Sequence, residues 1–247
     1  MEQPSTYQSS SRKKFIFIGL LAVSIAAIFF FYFNRKKKTN EENQAYAKYI
    51  EAYTSGTISK KSFIRVHLAN AATGMQDLGK ADSRELFDFS PSISGKTYWI
   101  DPQTVEFRPD ENLKPGKEYE ATFKLAEVSA TEKGLEDFDF EFKVITPGVV
   151  LSQNGLVSQN NTSLDYMKLT GEIATADVEE TSKIEKIIEL DFDQKLKVKW
   201  QHNPAKNISK FTIDSIKKKS ADQTLKIEWD GDAIDAEQKG NEEIRIP

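Results

Sequence analysis

The chain has 247 residues, with 34 Lys and Arg against 38 Asp and Glu, two His and no Cys, a formal net charge of −4. Without cysteine there is no disulfide, no thiolate metal site and no thiol nucleophile. Seven basic residues and one acid fall in the first forty positions, so the remainder holds 27 basic and 37 acidic residues, a net of −10. Such a surface repels nucleic acid and anionic lipid, so no nucleic-acid partner is expected.

In chain order, residues 1–14 form a short polar tail ending in Arg12-Lys13-Lys14, expected to be cytoplasmic. Phe15 to Phe33 are nineteen residues without a charge, bounded on the far side by Arg35-Lys36-Lys37-Lys38. As a helix they span roughly 28 Å, one hydrocarbon core. The run is long for a signal-peptide core, and it ends Phe30-Phe31-Tyr32-Phe33 with no small-residue cleavage site. An uncleaved, single-pass signal anchor is therefore predicted over a cleaved peptide. A lipoprotein anchor is excluded, because no cysteine follows. Flanking charges barely favour one orientation. The acidic modules that follow place the soluble part outside the cytoplasm, in the periplasm or at the cell surface.

Residues 34–56 read as a juxtamembrane linker. Tyr46, Tyr49, Ile50 and Tyr53 lie at helical spacing, which predicts a short amphipathic helix ended near Ser55-Gly56, with a plain stalk as the alternative. A first domain is predicted over 57–147. Phe63 to Leu68 reads as its first strand. Tyr98-Trp99-Ile100 and Val105-Glu106-Phe107 flank Asp101-Pro102-Gln103-Thr104, a hairpin whose proline pre-sets one turn angle. Leu113-Lys114-Pro115-Gly116-Lys117-Glu118-Tyr119 has the form of a tyrosine corner, in which the hydroxyl returns to the backbone of the preceding connection of an immunoglobulin-like sandwich. Phe138-Asp139-Phe140-Glu141-Phe142 alternates strictly, and Thr146-Pro147-Gly148 marks a boundary.

A second β domain is predicted over 148–247. Its expected parts are a strand at Met167–Ile173, a short helix at 177–188 opened by Asp177-Val178-Glu179-Glu180 as a capping box, alternating strands ending in Trp200 and Trp229, a strand at Phe211-Thr212-Ile213, and a turn at Asp230-Gly231. Ile244-Arg245-Ile246 reads as a strand just starting or finishing.

Several stretches together resemble one family. They are Tyr53-Thr54-Ser55-Gly56-Thr57-Ile58-Ser59 with Ile64-Arg65-Val66; Phe89-Ser90-Pro91-Ser92-Ile93-Ser94-Gly95 leading to Trp99, Asp101, Pro102, Thr104, Phe107 and Pro109; Gly171-Glu172-Ile173-Ala174-Thr175-Ala176-Asp177; Trp200-Gln201-His202; Phe211-Thr212-Ile213-Asp214-Ser215-Ile216; and Trp229-Asp230-Gly231. Over about residues 46–247 the chain resembles the N-terminal region of a bacterial, Bacteroidetes-type alpha-2-macroglobulin-like protein. The resemblance implies tandem macroglobulin-type sandwiches in the cell envelope, the membrane-proximal scaffold of a protease trap. It also implies partners in the downstream domains of a longer product and, through them, in proteases. Such traps cut a bait region and collapse, and many use a Cys–Gln thioester. Neither is expected here, and the chain reads as an N-terminal fragment.

No catalytic, cofactor or metal residue is assigned. His67 and His202 lie far apart and read as surface or capping groups. Asp230, Asp232 and Asp235 lack an EF-hand pattern. Glu136, Asp137, Asp139 and Glu141 belong to the polar side of a strand region. Lys217-Lys218-Lys219 reads as a solvated turn, and Trp99, Trp200 and Trp229 as core anchors. No Gly-x-Ser-x-Gly, Walker loop or His-Glu-x-x-His occurs. A non-enzyme is therefore expected. The rival readings are an adhesive or structural module, since stacked sandwiches serve many ends, and an enzyme whose site escapes motif reading.

Overall fold

The computed structural model describes residues 44–74, 77–160 and 165–246. The anchor at 15–33, its flanks and the tail lie outside the described residues. Among those described, no helix is long and apolar enough to cross a membrane.

Eight strands build the first half: β1 Ile50–Tyr53, β2 Gly56–Ile58, β3 Ile64–Leu68, β4 Phe87–Ser90, β5 Gly95–Trp99, β6 Thr104–Pro109, β7 Glu118–Phe123 and β8 Phe138–Val144. They form two four-stranded sheets, ordered β1-β3-β6-β5 and β2-β8-β7-β4. Read in sequence, this is the immunoglobulin order A-B-E-D over A′-G-F-C. The first strand switches sheets: after β1 leaves β3, β2 pairs parallel with β8, Gly56 opposite Phe142.

Strand alternation explains the core. Ile64, Val66 and Leu68 from one sheet meet Phe138, Phe140, Phe142 and Val144 from the other, while Asp139 and Glu141 face water.

The tyrosine corner is present. Tyr119 stands at the start of β7, its ring stacked at 5.4 Å on Phe142. Its hydroxyl accepts a hydrogen bond from the Lys114 N–H at 3.3 Å. Lys114 to Lys117 make the turn that presents this N–H, closed by Lys117 N–H to Lys114 C=O, and Gly116 takes φ of +71° there. A side chain at that position would be strained, which is the type II requirement for glycine. Tyr119→Phe is expected to lower stability by about 0.5–1.5 kcal/mol, because the Lys114 N–H loses its partner. A denaturant midpoint equal to wild type would count against the corner as a stabilising feature.

Seven strands build the second half: β9 Val149–Ser158, β10 Tyr166–Thr175, β11 Ile188–Asp191, β12 Val198–Asn203, β13 Ile208–Lys217, β14 Gln223–Asp230 and β15 Lys239–Ile246. Their sheets, β12-β13-β10-β9 and β11-β14-β15, again give D-E-B-A over C-F-G, the seven-strand immunoglobulin order. Leu169, Ile173, Phe211 and Ile213 pack against Leu225, Ile227, Ile244 and Ile246. The buried apolar residues thus fall into two clusters, one ending at Val144 and the other starting at Val149.

Four expectations are corrected. The tyrosine-rich segment is not one helix: only residues 44–46 are helical, and Ile50–Tyr53 is a strand of the first sheet. Tyr46 and Tyr53 each set a ring edge-on to Phe138 at 5.0 Å. Their spacing is therefore satisfied by a sandwich core, and Phe63–Leu68 contains the third strand rather than the first. The helix expected at 177–188 shrinks to one turn, α1 at Thr181–Ile184, capped by Glu180 without a side-chain bond. Its end is stopped because Ile187 C=O accepts from Asp230 N–H, which starts the β11–β14 ladder. The C-terminal strand is not just starting; all eight residues of β15 pair with β14. Of the three tryptophans only Trp99 is buried. Trp200 and Trp229 are half-buried, and the Trp229 ring lies over Gly240, where an added Cβ would meet Cε2 at 2.7 Å.

Candidate functional site

β2 and β8 run parallel, so both leave the first sandwich at the same end. From β8 the chain continues through Thr146-Pro147-Gly148 into β9. From β2 it enters the turn Ser59–Ser62, closed by Ser62 N–H to Ser59 C=O at 2.9 Å and braced by Leu113 N–H to Lys60 C=O at 2.9 Å. This turn grips the second sandwich. The Ser59 hydroxyl donates to Asp177 Oδ1 at 2.6 Å, and the Lys60 backbone N–H donates to Oδ2 at 2.7 Å. The Lys60 ammonium donates to Glu179 Oε2 at 2.6 Å, with the side chains only 12% and 3% exposed.

Asp177 and Glu179 are both buried at this junction. A buried carboxylate is costly unless its oxygens are bonded. Asp177 meets that condition with three donors, the third being Val178 N–H at 2.7 Å on Oδ1. On the linker side, Gly148 C=O accepts from Ala176 N–H at 2.9 Å, and Val149 N–H donates to Gln238 Oε1 at 3.2 Å. Two sandwiches joined by one peptide hinge are free to swing. A second attachment beside the first removes that freedom. The site is therefore a polar clasp that fixes one sandwich against the other.

Sequence reasoning missed it. Asp177 and Glu179 read locally as a capping box, yet their partners lie 117 to 119 residues earlier. No sequence pattern links them.

The residues weighed from sequence are not brought together. His67 Nδ1 meets Thr104 Oγ1 at 2.8 Å and its Nε2 lies 3.5 Å from Glu51. His202, in the other sandwich, stacks on Trp200 and lies between Ser209 Oγ at 2.9 Å and Glu185 at 3.1 Å. Asp230 and Asp232 share the Lys239 ammonium, at 3.0 and 2.8 Å. The Asp232 N–H and that ammonium hold the Asp230 carboxyl below its ordinary range. An acidic pair already neutralised by a lysine is a poor cation cage. Among the described residues no group of three or more His, Asp or Glu is placed to hold a metal. Glu136 accepts from Gly134 N–H at 2.9 Å, Asp137 C=O from the Tyr46 hydroxyl at 2.5 Å, and Asp139 from the Thr122 hydroxyl at 2.6 Å, all structural ties. Lys219 pairs with Asp193, and the Lys217 N–H is held by Gln194.

No family model and no curated protein matches the chain. Among solved structures, L,D-transpeptidase 3 from Mycobacterium tuberculosis in complex with a faropenem-derived adduct is similar at 16% identity and a TM-score of 0.30, over 55% of this chain and 48% of that one. An L,D-transpeptidase from Mycobacterium tuberculosis H37Rv gives 12% and 0.29, over 62% and 66%. The N-terminal part of the bacterial S-layer protein SbsC gives 12% and 0.28, over 78% and 43%. The chain spans about half the length of the first of these, and none of the three is an alpha-2-macroglobulin. Likeness at these scores says nothing of activity.

Proposed function

We propose that the chain is a non-catalytic scaffold: two immunoglobulin-type sandwiches clasped into one rigid arm, tethered to the envelope membrane by residues 15–33. In this reading it is the membrane-proximal end of an alpha-2-macroglobulin-like protease trap, whose bait and trapping domains lie downstream. The observation that carries it is the buried clasp of Ser59 and Lys60 on Asp177 and Glu179. Evolution of a flexible linker needs no such contact, whereas a spacer that must hold downstream domains at a set distance and angle does. The ordered resemblance over residues 46–247 supports the finer assignment to the trap.

The scaffold reading predicts chemical inertness. Incubated with trypsin-like and elastase-like proteases and run on denaturing gels, the full chain is expected to form no covalent adduct. It is also expected to turn over no ester, peptide or glycoside substrate. An adduct that survives denaturation, or a turnover rate that rises with purity of the chain, would overturn the reading.

A further inference from the structure

We propose that the outer face of the β1-β3-β6-β5 sheet is a docking site for an acidic peptide segment, built on the guanidinium forks of Arg65 and Arg108. Alternation along β6 sends Val105 and Phe107 into the core and Glu106 to the opposite face. A glutamate there is ordinarily solvated. Glu106 instead has a side chain only 2% exposed, covered by Arg65, its direct cross-strand partner on β3, and by Arg108 two residues along its own strand. Arg65 Nε donates to Oε2 at 2.5 Å and Arg108 Nε to Oε1 at 2.7 Å.

This arrangement leaves each arginine fork unspent. A guanidinium has five N–H donors, and here each commits only Nε to the buried carboxylate. No other side-chain acceptor is bonded to either group, and the side chains are 59% and 42% exposed. The Arg108 guanidinium is held 4.4 Å over the Tyr98 ring and 5.6 Å over the Phe63 ring. Two planar cations are therefore fixed side by side with their terminal N–H groups toward solvent. Much of the entropy that an arginine loses on binding has already been lost here. Planar carboxylates match such forks bidentately.

Charge points the same way. Exposed Lys96 stands opposite Arg108 on β5, so three cations surround one carboxylate. Glu51, at the far end of the face, is taken up by His67. This cationic patch sits in a chain whose residues after the first forty carry a net of −10. Half-exposed Phe63 and the Tyr98 ring add apolar surface beside the forks. A flat sheet face with flanking aromatics fits an extended peptide better than a lone phosphate, which favours a cradle of backbone N–H groups. The proposal does not depend on the trap assignment.

The test uses the full chain in dodecylmaltoside micelles and a fluorescein-labelled hexaglutamate peptide at low salt, read by fluorescence anisotropy. Saturable binding is expected, displaced by unlabelled hexaglutamate and not by inorganic phosphate at equal charge concentration. Arg65→Lys with Arg108→Lys keeps the charge and removes the forks, and is expected to weaken binding about tenfold or more. Lys199→Ala, in the other sandwich, is expected to leave it unchanged. Phe63→Ala, at an exposed position, is expected to weaken binding about threefold and serves if the double variant folds poorly. Equal affinity in the fork and Phe63 variants, no saturable binding, or displacement by phosphate as effective as by peptide would each overturn the proposal.

Discussion

Asp82→Ala is expected to cost the first sandwich about 3–5 kcal/mol, because it strips the partner from two buried or half-buried donors at once. Asp82 lies just before β4, its side chain fully buried, held by its own N–H to Thr97 C=O at 2.8 Å. The carboxylate accepts from Arg84 Nε at 3.0 Å and Nη2 at 2.7 Å, from the Arg84 N–H at 3.0 Å, and from the Trp99 indole at 2.9 Å. Arg84 Nη1 continues to Glu127 C=O at 2.8 Å, so the network closes one end of the sandwich. Without Asp82 the buried indole N–H has no acceptor, and the guanidinium loses its counter-charge.

The same group sets an acid limit. Burial pushes the Asp82 carboxyl up, but the hydrogen bonds from Arg84 and Trp99 outweigh it and hold it at about 2, against an ordinary 3.8. Because the folded value is depressed, its contribution is complete above about pH 4 and is lost as pH falls through about 2. Asp82→Asn is expected to flatten that part of the stability profile. Urea midpoints measured between pH 5 and pH 2 check this. A wild-type midpoint that falls no faster than that of the variant would contradict it.

Lys60→Ala is expected to cost about 3 kcal/mol at the junction, since it leaves the Glu179 carboxylate nearly buried with its cation gone. Asp177→Ala removes the acceptor of the Ser59 hydroxyl and of the Lys60 and Val178 N–H groups, and is expected to cost a similar amount. The pair Lys60→Ala and Glu179→Ala shares one interaction. Together they are expected to cost clearly less than the sum of the two, and a strictly additive cycle would show that the ammonium and carboxylate do not interact. Denaturant unfolding followed by tryptophan fluorescence separates the sandwiches, because Trp99 reports the first and Trp200 and Trp229 the second.

The features legible in the sequence are those whose cause is local. Phe138 to Phe142 alternates because a pleated strand does, and Leu113 to Tyr119 carries its turn and its corner within seven residues. The Asp101-Pro102-Gln103-Thr104 turn is equally self-contained: the Asp101 carboxylate accepts from the N–H groups of Gln103 and Thr104, both at 2.7 Å. What misled was spacing without its tertiary partner. Tyr46, Tyr49, Ile50 and Tyr53 have helical periodicity, yet a strand forms at Ile50–Tyr53 because β3 offers a ladder and Phe138 and Phe140 offer ring contacts. Local propensity yields to such packing. The clasp was illegible for a different reason. Asp177 is an acceptor for groups on a turn of the other sandwich, and a single sequence holds no trace of that pairing. Glu106 likewise reads as an ordinary outward strand residue, and only its two arginine neighbours bury it.

The central claim is that the two sandwiches form one rigid arm, and the distance between them tests it most directly. The chain has no native cysteine, so Glu141→Cys on β8 and Glu243→Cys on β15, both exposed, accept spin labels without competition. Double electron–electron resonance on the full chain in nanodiscs is expected to give a single narrow distance distribution. In the Lys60→Ala, Asp177→Ala background that distribution is expected to broaden. A broad distribution in the unmodified junction, unchanged when the clasp is removed, would contradict the rigid-scaffold account.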